Sequence, residues 1–146
     1  MTMIATEREV ASAISPVTNQ NTVHLPLGLL GFEKFQEFVL LGCSEEAPFH
    51  WLQVKGDQEL AFLVAAPEDV LGEYCPQLNE EDVRFLALDR RSDALVLNIV
   101  TLSKDGGATI NLKGPIVINA HTRIGKQIVP LNAADYSVQH PLPVTT

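Results

Sequence analysis

The residue types able to carry chemistry are few and widely spaced. His24, His50, His121 and His140 include no pair two or four apart, the spacings that place two imidazoles on one face of a strand or helix to hold a metal. Cys43 and Cys75 have no second thiol pair beside them, so nothing suggests a structural zinc site. Neither has a His or Lys close in sequence to lower its pKa. Both are expected to be small buried hydrophobes that form no disulfide. The acidic runs Glu45-Glu46, Glu68-Asp69 and Glu80-Glu81-Asp82 contain groups fit for general acid or base work. Adjacent acids in polar turns, however, stay solvated and keep ordinary pKa values. There is no Gly-x-Ser-x-Gly elbow, phosphate-binding loop or dinucleotide fingerprint. Gly28-Leu29-Leu30-Gly31 spaces two glycines like a phosphate cradle, but the leucines between them and Phe32 after them make it a turn with an apolar anchor. No catalytic residue, metal site or cofactor is assigned. A small-barrel enzyme or ligand-binding domain stands as the alternative to a protein that binds other proteins.

Residues harder to explain by packing point toward binding. Asn111 and Asn119 flank Gly114-Pro115, and asparagine is disfavoured in strands unless its amide satisfies a nearby backbone group. Two amides tying a strand–loop–strand corner is the simpler reading, ligand contact the sharper one. Phe49 and Trp51 alternate with His50 and Leu52, so one pair faces a core; an exposed aromatic in this set would mark an interface. Lys113, Arg123 and Lys126 form a late basic ridge that ordinary surface charge explains better than a binding role.

These residues need positioning, and the pattern for it is strand-rich. Short β-branched and aromatic runs at residues 38–41, 49–54 and 60–65 are punctuated by Gly, Pro or acids. Residues 94–102 form the clearest strand. Leu95, Leu97, Ile99 and Thr101 lie on one face, Val96, Asn98, Val100 and Leu102 on the other, and both faces are apolar enough to be covered. Lys104-Asp105-Gly106-Gly107 is a tight turn. Residues 109–112, 116–119 and 127–131 continue as strands, with Pro115 marking a strand start or edge. Helix is predicted at only two places, residues 67–74 and 79–83, where Pro67 opens the first and Asn79 caps the second. The fold class is therefore all-β, a small antiparallel barrel-like domain with one or two short helices. Residues 1–21 read as an arm, 22–142 as the domain and 143–146 as a tail.

Charge sharpens the choice of partner. The 146 residues carry a formal charge of −8, and it is unevenly spread. Residues 1–82 hold fourteen acids and three bases, residues 83–146 four acids and seven bases. Such a chain repels phosphate backbones, which argues against direct nucleic-acid binding. A basic protein partner suits it better. No apolar run approaches the ~18 residues of a membrane span. The first ten residues carry Glu7, Arg8 and Glu9 in place of a basic segment followed by an apolar block, so no secretory signal is expected. Two thiols fit a reducing cytoplasm.

The ordered set of motifs resembles the FliW family of bacterial flagellar assembly factors. Gly28-Leu29-Leu30-Gly31-Phe32-Glu33 resembles the family's opening Gly-x-Pro-Gly-Phe-Glu, and Pro48-Phe49-His50-Trp51-Leu52-Gln53 its Pro-Phe-x-x-Leu-Gln strand. Ala61-Phe62 running on to Pro67 and Tyr74 is similar to a further segment. Asn111-Leu112, Pro115-Ile116-Val117-Ile118-Asn119, Gly125-Lys126-Gln127 and Tyr136 complete the likeness. Leu30 replaces the usual Pro, and Ala66 stands where Asp is common.

The resemblance implies a non-enzymatic cytoplasmic β protein with two partners. One is newly made flagellin, bound through its C-terminal segment. The other is the translational repressor CsrA, captured when flagellin has been exported, so that flagellin synthesis resumes. On this basis the flagellin-binding candidates are Phe32, Trp51, Phe62 and Tyr74, with Asn111 and Asn119 shaping the adjoining corner. Twelve acids and two bases between Glu33 and Asp82 nominate Glu68, Asp69 and Glu73 for the CsrA surface. No membrane or direct nucleic-acid contact is implied.

Overall fold

The computed structural model describes residues 22–42, 49–57, 59–67, 71 and 73–142. The expected arm (1–21), the tail (143–146), Cys43, Glu68 and Asp69 lie outside the described residues. The strands are β1 (Thr22–His24), β2 (Glu37–Gly42), β3 (Phe49–Val54), β4 (Ala61–Ala65), β5 (Ala94–Leu102), β6 (Ala108–Ile110), β7 (Ile116–Asn119), β8 (Gly125–Gln127) and β9 (His140–Pro141). The helix α1 spans Glu80–Phe85.

Strand β5 organises the rest. Its alternation divides as the sequence predicts, with Leu97 and Ile99 in one buried cluster and Val100 in another. The chain turns at residues 103–107, where Gly106 takes φ +92°, a conformation open to glycine at no steric cost. It then returns antiparallel to β5 in two pieces. β6 pairs with residues 100–102 and β7 with residues 94–97. The two are halves of one return strand, interrupted at residues 111–115 because Pro115 has no N–H to give the ladder. The Asn98 amide fills the interruption, donating to the Asn111 carbonyl at 2.7 Å. Beyond it the halves part: β6 meets β9, whereas β7 meets β8.

β4 joins β5 at Val64 and Ala65, and β3, β2 and β1 follow by antiparallel pairing. The first strand touches the end of the β7–β8 branch through a parallel bridge, His24 to Ile124, and a bond from His24 N–H to the Arg123 carbonyl at 2.9 Å. The sheet thus curls until its ends meet, all-β and barrel-like without a closed ladder. Gly125 sits at that meeting point. A Cβ there would stand 2.8 Å from Ile118 and 2.9 Å from Leu25, so only glycine allows the approach. Gly28 is similarly fixed, with φ +69° and the Glu33 backbone 2.5 Å from where its Cβ would be.

The pleat sends alternate residues to two cores. Leu52, Phe38 and Phe62 join Leu25 and Leu29 on one side, while Trp51, Leu41 and Leu63 pack on the other with Val100 and Leu142. Two expectations are corrected. The last predicted strand, 127–131, lies at Gly125–Gln127 instead; its final rung is Ile128 N–H to the Pro115 carbonyl, one residue before β7 begins, so β7 offers nothing further to pair with. The helix predicted over 67–74 does not reach Tyr74, since residues 73–79 carry no helical turn. Pro76 follows Cys75 and disfavours the helical region there.

Candidate binding cleft

Residues 73–78 run as a strap across the sheet and form one wall of a cleft of about 800 Å³. Helix α1 and the chain leaving it form the other wall through Val83 and Leu88, and Ala94, Val96 and Val117 line it from the sheet.

The helix wall is tied from beneath. Asn79 caps α1, its Oδ1 accepting the Asp82 N–H at 2.8 Å. The helix ends with Ala87 N–H on the Arg84 carbonyl and Leu88 N–H on the Val83 carbonyl, a Schellman closure that places Ala87 at φ +53°. Without glycine that conformation costs roughly 1 kcal/mol. The buried Asn119 amide offsets it, donating to the Leu86 and Ala87 carbonyls at 2.8 and 3.2 Å. Its Oδ1 accepts the His121 and Thr122 N–H groups. Lys126 reaches from β8 to the buried Asp82 carboxylate and lies 5.5 Å from the Phe85 ring centroid.

The strap wall is tied from the side. The Asn132 side chain accepts the Gln77 N–H at 2.9 Å and donates to the Cys75 carbonyl at 3.1 Å. The Tyr74 hydroxyl donates to the Leu112 carbonyl at 2.6 Å and lies 3.4 Å from the Asn98 amide. Burial is the main reason its pKa is pushed up to about 12, with Asn98 pulling the other way. Tyr136 meets the Tyr74 ring edge-on at 4.8 Å. The Asn98 Oδ1 is buried and has no hydrogen-bond partner among the described residues.

The candidate residues do not form one patch. Phe62 is fully buried and Phe32 half-buried, their rings edge-to-face at 5.1 Å. Trp51 is buried on the opposite face of the sheet. Tyr74 alone among the aromatic candidates lines the cleft. Asn111 caps its own corner, its Oδ1 accepting the Lys113 N–H at 2.9 Å; through Asn98 it adjoins Tyr74, while Asn119 holds the far wall. Glu73 is exposed at the start of the strap. Cys75, expected to be buried, is instead exposed and free, because its backbone, not its side chain, is what the strap uses. Sequence reasoning missed Arg90, Arg91, Leu88 and Asn132. The adjacent arginines were a visible signal, but the clasp of Asn132 on residues more than fifty positions away was not. Among the described residues no group of three or more His, Cys, Asp or Glu is placed to hold a metal. Among them, too, no helix is long and apolar enough to cross a membrane.

This fold has a solved counterpart. The crystal structure described as that of the flagellar assembly factor FliW superposes with a TM-score of 0.81 at 28% identity, covering 99% of this chain and 100% of the other. A family model described as "FliW protein" matches residues 7–142. Flagellar assembly factor FliW of Leptospira biflexa is 38% identical over 115 residues, 77% of this chain and 75% of the relative. That of Geotalea uraniireducens is 39% identical over 120 residues, 82% and 72% of the two chains. The chain belongs to the FliW family.

Proposed function

We propose that this protein is a cytoplasmic flagellar assembly factor that binds flagellin through its C-terminal segment and, when free of it, binds and antagonises CsrA. The observation that carries the reading is the match of residues 7–142 to the FliW family, among relatives named as flagellar assembly factors. The charge pattern supports it, since an acidic N-terminal half suits a basic regulator and disfavours RNA itself.

Flagellin's segment would order on binding and bury apolar side chains. Phe32 and Tyr74 are the candidates with surface to offer. Leu27 and Leu30, 54% and 65% exposed, extend the Phe32 turn, while Trp51 and Phe62 would support the surface from beneath. Glu68, Asp69 and Glu73 are assigned to CsrA as rim charges that speed encounter.

The test is capture of monomeric flagellin and of CsrA by the purified protein. Flagellin lacking its last helix should fail to bind, and flagellin should displace CsrA. Equal binding of truncated and full-length flagellin would refute the flagellin assignment. Reversing Glu68, Asp69 and Glu73 together should slow CsrA association and flatten its salt dependence between low salt and ~0.5 M. An unchanged on-rate would remove these acids from the interface.

A further inference from the structure

The strap has one satisfied edge and one open edge. Cys75 N–H donates to the Tyr136 hydroxyl at 3.3 Å and the Cys75 carbonyl accepts from Asn132. Two residues on, Gln77 N–H donates to Asn132 and the Gln77 carbonyl accepts the Leu131 N–H. Bonds at alternate residues are those of an extended chain, whose intervening groups point the other way. Those groups are the N–H of Tyr74 and Leu78 and the carbonyls of Tyr74 and Pro76. They have no hydrogen-bond partner among the described residues, and they belong to the wall of an apolar cleft.

The two ends of the cleft differ in charge. Arg90 and Arg91 line it just before Ala94, and neither makes an ion pair among the described residues. Asp89 lies beside them in the lining and the Asp93 carboxylate accepts the Arg90 backbone N–H at 3.1 Å, so the two guanidiniums are what that end offers an anion. Glu73 marks the other end, next to Tyr74, whose hydroxyl lies 3.4 Å from Asn98. Ala94 and Asn98 stand four positions apart on β5, about 13 Å, which is room for roughly four residues of extended peptide.

We infer that the cleft receives the last few residues of flagellin in extended form. Their backbone pairs with the open edge of the strap, their apolar side chains rest on Leu88, Ala94 and Val96, and the terminal carboxylate meets Arg90 and Arg91. The inference rests on the reading that flagellin's C-terminal segment is the ligand, and it adds where that segment ends and what recognises its terminus. Main-chain pairing supplies affinity in such strand addition, while the guanidinium pair fixes direction, because the main chain itself carries a carboxylate only at its C-terminal end.

The experiment compares full-length flagellin with flagellin carrying a six-residue Gly-Ser extension, each titrated into the intact protein and its Arg90→Gln, Arg91→Gln double variant. Both arginines are exposed, so the variant should fold. The extension should weaken binding to the parent about tenfold and leave binding to the variant unchanged. Hydrogen exchange at the Tyr74 and Leu78 amides should slow when flagellin is bound. If unmodified flagellin binds but neither the extension nor the arginine substitutions weaken it, the cleft is not the seat of the terminus, and flagellin binding stands. If the parent binds no flagellin at all, the functional reading fails and takes this inference with it. Binding with unprotected Tyr74 and Leu78 amides would overturn the strand pairing.

Discussion

The two walls of the cleft are both held by an asparagine, but in different surroundings. Asn119 is 3% exposed and makes four bonds to backbone groups behind the helix wall. Asn132 is half-buried and makes two, at the protein surface, to the strap. Beside Asn119 lies a charged pin, Lys126 on Asp82; beside Asn132 lies a tyrosine pair. A tie made by a buried side chain, its partners wholly or partly shielded from water, is more expensive to break than an exposed tie, which exchanges its partners for solvent at little cost. The helix wall is therefore built as scaffold and the strap wall as the side able to adjust to a guest.

Breaking the charged pin should have the largest effect. Lys126→Met leaves the Asp82 carboxylate, whose side chain is 5% exposed, without its cation. Because the Lys126 side chain is 26% exposed, water offsets part of the loss; about 2–3 kcal/mol of destabilisation is expected in urea unfolding. Next is Asn119→Ala, which strands the Leu86 carbonyl and the His121 and Thr122 N–H groups. A loss of about 2 kcal/mol is expected, together with faster proteolysis near Ala87.

On the strap side the effects should be smaller. Tyr74→Phe removes the bond to Leu112 and should cost about 1 kcal/mol. It should also change the response to alkali. The Tyr74 pKa is raised in the folded protein to about 12, from 10.0. As pH rises from about 10 to about 12 the unfolded chain loses a proton that the folded chain keeps, so stability falls across that window. Thermal unfolding scans should show the fall to be shallower in the Phe variant. Smallest is Asn132→Ala, expected to cost about 0.5–1 kcal/mol while raising hydrogen exchange at Gln77. An Asn132→Ala loss exceeding that of Asn119→Ala would reverse the assignment of scaffold and adjustable wall.

How much of this was legible in the sequence follows the same division. The β5 alternation, the glycine turn at 104–107 and the Asn79 cap were readable because each depends on neighbours in the chain. The break at Gly114-Pro115 was readable as well. That the pieces on either side of it serve two branches of the sheet was not, because the fork depends on which distant strand each half meets. The strap was invisible: residues 73–79 have no hydrophobic period, and their partners, Asn132 and Tyr136, lie more than fifty positions on. Trp51 and Phe62 show the converse limit. The pairing of Phe62 with Leu52 puts them on opposite faces of the sheet, whereas period 2 within each strand tells neither that register nor which face is covered, and both are.

The contact between β1 and the β8 end has a consequence for how the molecule folds. The β5–β6 turn joins residues that are close in the chain, so its closure costs little entropy and proceeds on the microsecond scale of hairpins. His24 and Ile124 are separated by nearly the whole domain, and their backbones meet only through a bridge and the bond from His24 to Arg123 among the described residues. Long-range closure of this kind contributes late and rewards little until everything between is ordered. The seam between β1 and the β8 end should thus be the last part of the protein to become native and the first to open, while the β5–β6 hairpin is already in place.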